Sequence, residues 1–166
     1  MERWDIYNSK KERTGRTMAR NDWTMQPGDF HLTVLGVIRR PDGRYLITQR
    51  VMSKAWAPGC WEVSGGAAMA GETSEEAVRR EVLEETGLDV AGACGGYVFT
   101  YQRENPEEGD NYFVDVYCYE MDITEADVKL QTEEAVTCRF ATADEIAQLG
   151  ARDEFLHYNS IRCVFE

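Results

Sequence analysis

Three glutamates, Glu81, Glu84 and Glu85, stand at i, i+3 and i+4 in a stretch of helical character. At 3.6 residues per turn their carboxylates share one face. Like charges so placed repel, and helix propensity does not require them. Two readings follow. One is an acidic face kept in water, since charge runs are common. The other is a nest for a hard cation. Magnesium takes oxygen ligands, keeps several waters and is completed by substrate phosphates. The chemistry would then be that of a cation held beside phosphate groups.

The neighbouring residues bear on that choice. Gly65-Gly66 precedes the helix by a short loop, residues 67–72, and is expected to break the strand before it. Glycine there could let the backbone approach a phosphate closely. Arg80 could bridge the helix back to Glu72 at the end of the loop. It could equally form an i, i+4 pair with Glu84, worth a few tenths of a kcal/mol.

The whole pattern resembles the Nudix box. Gly66, Glu72, Arg80-Glu81-Val82-Leu83-Glu84-Glu85-Thr86-Gly87-Leu88 is similar to G-x5-E-x7-R-E-U-x-E-E-x-G-U at every position, with Val82 and Leu88 as the aliphatic U residues. Seven fixed positions would match by chance in about one chain in a million at ordinary residue frequencies. The segments 46–50 and 58–66 resemble the family's approach to the box. Glu134, with Val136, Arg139, Phe140 and Glu145, resembles a later segment that often supplies one more carboxylate. Only the first thirty residues lie outside the common core.

The resemblance implies an α/β fold, an α/β/α sandwich around a mixed β-sheet. It implies hydrolysis of a nucleoside diphosphate linked to another moiety, with Mg2+ as cofactor and Mn2+ as a substitute. Glu81, Glu84 and Glu85 become metal ligands, and one of them or Glu134 the general base. Glu72 and Arg80 support them, Glu72 with possible metal contact. Gly66, Arg50 and Trp61 are candidates for substrate binding, though Trp61 could instead pack under the loop and Arg50 could simply end a strand. Glu62 faces the opposite way from Trp61, so one of the two could face the pocket.

Two further readings belong beside this one. Residues 4–15 and 27–32 resemble a Nudix branch close to isopentenyl-diphosphate isomerases. That isomerase needs a cysteine just before the box and a histidine-rich metal site. Val63-Ser64 stands where the cysteine would be, Cys60 lies earlier, and the only histidines are His31 and His157. A non-catalytic nucleotide sensor is the other alternative, but such proteins often lose box carboxylates and all are present here.

The elements that must position these residues are legible. Thr73 with Glu76 forms a capping-box pattern for a helix over 73–86, and Gly87 stands where a helix-ending glycine belongs. Ala77, Val78 and Val82 are its apolar stripe. Strands are expected over 30–39, 45–50, 61–64, around 98–101, over 113–119 and over 135–141. Residues 103–111 form a turn, and helices begin near Thr142 and Phe155. Residues 1–29 are an N-terminal extension forming a small hairpin, able to cover the pocket of its own or a neighbouring subunit. The 166 residues read as one domain, with a homodimer possible.

Composition narrows the partners. A net charge of -12 repels nucleic-acid backbones. No stretch is apolar enough for a membrane span. Five widely spaced cysteines with no C-x-x-C argue against a disulfide framework or a zinc site, and are expected as small buried residues. The expectation is a soluble cytoplasmic enzyme acting on a small-molecule nucleotide.

Overall fold

The computed structural model describes residues 2–22 and 25–166. Strand β3, His31–Arg39, organises it because it is apolar on both faces. Leu32, Val34 and Ile38 belong to one core, and Leu35 and Val37 to a second core on the opposite face. This is the period-2 alternation of a strand buried on both sides.

A seven-stranded mixed sheet forms around it. The remaining strands are β4 (Tyr45–Arg50), β5 (Trp61–Glu62), β6 (Ser64–Ala67), β7 (Cys94–Arg103), β8 (Tyr112–Glu120) and β9 (Ala135–Ala141). β3 runs parallel to β8, while β7 pairs antiparallel to β8, and β9 antiparallel to β4. β4 touches β3 only at Arg39↔Tyr45 before leaving it, and residues 33–36 of β3 pair with β6 instead. The expected break at Gly65-Gly66 is therefore corrected. Both glycines lie within β6, opposite Leu35 and Val34.

Helix α1, Ser74–Thr86, covers one face. Thr73 accepts from Glu76 N–H, and Glu76 reaches back to the Thr73 N–H, completing the capping box. Such a cap contributes about 1 kcal/mol. Gly87 ends the helix at φ 73°, a left-handed conformation that a Cβ disfavours. Ala77, Val78 and Val82 are fully buried, and each valine stabilises by roughly 1.5–3 kcal/mol through leaving water. Val82 packs so close to Gly36 that a Cβ there would stand 2.5 Å from its Cγ2. Helices α2 (Ala143–Ala151) and α3 (Tyr158–Ile161) cover the other face, burying Ile146, Leu149 and Ile161. The result is the expected α/β/α sandwich around a mixed sheet.

Strands β1 (Arg3–Tyr7) and β2 (Arg13–Ala19) form a separate antiparallel hairpin with its own small core of Trp4, Ile6 and Met18. The hairpin is fastened to the sandwich. Tyr7 and Phe30 exchange backbone hydrogen bonds at 2.7 and 2.9 Å. The Lys11 ammonium pairs at 2.7 Å with Asp115, a buried carboxylate that also accepts from Ser74 and Thr100. One expectation fails: the cysteines are all free, but Cys94 and Cys163 are exposed and the other three half-buried. Among the described residues no helix is long and apolar enough to cross a membrane.

Candidate active site

The acidic face of α1 opens into a cleft of about 450 Å³ whose lining is strongly polar. Gly65, Gly66 and Ala67 of β6 line it, with Arg50 at the end of β4 and Glu62 of β5. Gly66 is required there by space, not by φ. A Cβ at that position would lie 2.5 Å from the Glu81 carboxyl carbon. The missing side chain is what lets Glu81 lie across the strand.

Arg80 is the hub. Its Nε donates to Glu72 at 2.6 Å, its Nη1 to Glu81 at 2.9 Å and to Glu84 at 3.3 Å, and its Nη2 to the Ala67 carbonyl at 3.1 Å. Both sequence-level alternatives for Arg80 are thus realised, with the bridge to Glu72 the shorter. The hydrogen bond to Glu72 is the main reason the guanidinium is held above its usual range, with the nearby Glu81 charge adding to it. Burial pushes Glu72 up, but the Arg80 bond and the Met69 N–H together hold it below the usual carboxylate range. The loop between β6 and α1 is therefore tied at both ends to one cation.

The other carboxyls are less compensated. Burial pushes Glu85 up to about 8, the nearby charge of Glu81 adds to this, and the Ser64 hydroxyl opposes it by donating at 2.7 Å. Burial also raises Glu81 against the pull of Arg80, and Glu62 against the pull of Arg50 at 3.1 Å. Glu84 is half exposed. Glu134 reaches the same cleft and pairs with Lys54. Among the described residues no three acidic, histidine or cysteine side chains yet stand at ligand spacing. The carboxylates are turned to Arg80, Ser64 and Lys54 instead.

Most of the sequence candidates meet here: Gly66, Arg50, Arg80, Glu81, Glu84, Glu85 and Glu134 all line the cleft. Glu72 stands one step behind, through Arg80. Trp61 does not reach it. Its ring lies under the Arg139 guanidinium at 5.0 Å, and its backbone bonds Glu154 and Leu156. Strand alternation puts Glu62 in the cleft instead. Lys54, Ser64 and Gln131 were not singled out by the sequence, because their roles come from packing and no motif marks them. The hairpin residues Glu2 and Arg20 also line the cleft, and no local pattern announces them. No cysteine lines it among the described residues. Cys60 faces the Asp153 carbonyl at 3.9 Å, which leaves the isomerase chemistry without its thiol.

The comparisons with known proteins agree with this geometry. The NUDIX domain model matches residues 29–161. The chain is 34% identical to the Nudix hydrolase lmo0368 of Listeria monocytogenes, over 99% of this chain and 94% of that one. It is 42% identical to the nucleoside triphosphatase NudI of an Enterobacter, over 55 residues that cover 33% of this chain and 39% of the relative. The crystal structure of DR0079 from Deinococcus radiodurans superposes with a TM-score of 0.72 at 26% identity, covering 90% of each chain. The chain belongs to the Nudix hydrolase family. It is an enzyme, a hydrolase acting on phosphorus-containing anhydrides.

Proposed function

We propose that this enzyme hydrolyses a phosphoanhydride bond in a nucleoside diphosphate linked to a further group, with Mg2+ as cofactor and Mn2+ able to replace it. The observation that carries this reading is the set of under-compensated carboxyls, Glu62, Glu81 and Glu85, gathered in a polar cleft with Gly66 cleared for one of them. Buried carboxyls with raised proton affinity are what a divalent cation neutralises. Glu81, Glu84 and Glu85 would hold it, with Glu72 and Arg80 fixing the loop. Glu81 and Glu84 would turn from Arg80 to do so. The cation supplies Lewis acidity, which acidifies water and offsets phosphate charge.

The chain's own residues then divide the work. Arg50 and Lys54 are cations facing the same cleft, placed to hold phosphate oxygens. Ser64 keeps the Glu85 carboxyl aimed inward. A carboxylate among Glu81, Glu84, Glu85 and Glu134 takes a proton from the attacking water. The water oxygen bonds to phosphorus, the bridging P–O bond breaks, and the leaving phosphate departs with the bond's electron pair. A nucleoside monophosphate and a phosphorylated second group result. The local likeness to a nucleoside triphosphatase makes triphosphates part of the substrate range to be tested.

The test is a panel of nucleoside diphosphate derivatives and triphosphates, with magnesium present or chelated, beside Glu85→Gln. Turnover should require the ion, and the variant should lose about 10²–10³-fold in kcat. A wild type that turns over no compound in the panel would sink the reading.

A further inference from the structure

The hairpin β1–β2 lies before the matched family domain, which begins at residue 29, yet it walls the cleft. Beside the acidic chamber a second hollow of about 580 Å³ opens across Gly66 and Ala67. Arg20 lines both, so it stands at their border. Glu2 fixes it there: one carboxylate oxygen accepts from the Arg20 guanidinium at 2.9 Å and the other from the Trp4 indole N–H at 3.1 Å. The Arg20 side chain remains 57% exposed, and a guanidinium carries five donors in a fork suited to phosphate.

Trp4 is a wall of the second hollow. It stacks on His31 with ring centroids 4.2 Å apart and planes within 15°. His31 Nε2 bonds Asp110 at 3.0 Å, while its buried Nδ1 has no hydrogen-bond partner among the described residues. The exposed Trp56 ring lines the same hollow, as do the carboxylates of Asp110 and Glu108. Such a lining accepts N–H and O–H donors and repels a second phosphate. The hairpin is also held in place against the box. Ala70 N–H donates to the Arg3 carbonyl at 2.7 Å and Gly71 N–H to Asp5 at 2.8 Å, so this wall is organised before any ligand arrives.

We propose that the N-terminal hairpin completes the substrate pocket: Arg20 holds the diphosphate at the border of the two chambers, and the hollow walled by Trp4 takes a neutral ring bearing amino or hydroxyl donors. This rests on the phosphoanhydride reading above. It makes Arg20 a substrate-binding residue and Asp110 a selector, both outside the box.

The experiment measures kcat and KM for the wild type, Arg20→Ala, Arg20→Lys and Asp110→Asn on CTP, UTP, UDP-glucose and inorganic tripolyphosphate with magnesium. Calorimetry gives Kd for every compound on the Glu85→Gln background. Arg20→Ala should raise KM and Kd about tenfold for the ring-bearing compounds, with kcat within about threefold, and Arg20→Lys, which keeps the charge without the fork, should recover part of the loss. If a nucleobase fills the hollow, Asp110→Asn should narrow the preference for amino-bearing CTP over UTP. If a sugar fills it, the variant should weaken UDP-glucose selectively. Unchanged KM and Kd in Arg20→Ala, or tripolyphosphate accepted as well as ring-bearing compounds, overturns the proposal. Absence of turnover in the wild type would overturn the phosphoanhydride reading alone, because the Kd values still decide for or against the hairpin. Absence of binding by every compound overturns the proposal as well.

Discussion

The box helix and the N-terminal hairpin contribute to the same cleft by different physics. α1 carries its chemistry in its own periodicity. Its carboxylates share a face through helix geometry, its cap is local, and its buried stripe seats it on β3. The hairpin has no such internal logic. Beyond its internal pairs, its charged residues matter through partners outside it: Lys11 with Asp115, Arg16 with Asp29, Asp5 with the Gly71 N–H. A motif can announce the first kind of region. The second kind becomes functional only when the chain has folded around it.

That contrast predicts separable failures. The largest effect should come from the box. Gly66→Ala puts a methyl where the Glu81 carboxyl lies, and a flexible side-chain end can move aside. Activity should fall about 10–100-fold, by displacement of a carboxyl proposed to hold the cation, with little change in Tm; kinetics and thermal melts on one preparation check this. A large loss of Tm would instead make Gly66 a packing residue and blur the distinction. The hairpin should fail the other way. Lys11→Met leaves the nearly buried Asp115 with only its hydroxyl donors. The cost should be about 1–2 kcal/mol in denaturant unfolding, discounted because Lys11 is a third exposed, with kcat within about threefold.

The smallest effect lies in acid. The Arg16 hydrogen bond holds Asp29 below the usual carboxylate range, against the opposing effect of burial. A depressed folded-state value gives stability above the unfolded value, about 3.9, that is lost as pH falls through the folded one. Asp29→Asn should therefore melt below the wild type at neutral pH. The gap should close as pH drops below about 4. A gap independent of pH would show that the pair acts by packing alone.

The strands were readable because their apolar residues alternate and their turns carry glycine and proline; β4 and β9 run over the residues expected. The strand through Gly65-Gly66 was not readable. Glycine usually marks a break, and here the sheet needs a residue without a side chain beside Glu81. Trp61 was a reasonable candidate for stacking on a substrate. Its strand alternates correctly, but the phase that puts Glu62 in the cleft comes from pairing with β4. The cysteines were misjudged for a related reason. Burial follows from the face a residue lands on, and Cys94 lies on β7, at the edge of the sheet.

The sequence by itself determined the helix, its cap, the spacing of Glu81, Glu84 and Glu85, and the family. Each depends on residues within a few turns of one another, where backbone geometry leaves little freedom. Tertiary structure alone decided that Ser64 orients Glu85, that Lys54 meets Glu134, and that Glu2 and Arg20 close the cleft. Those contacts join residues 21 to 80 positions apart, or segments separated by the whole box. Only the folded packing of hairpin, sheet and helix brings such side chains within reach, and no local periodicity records it.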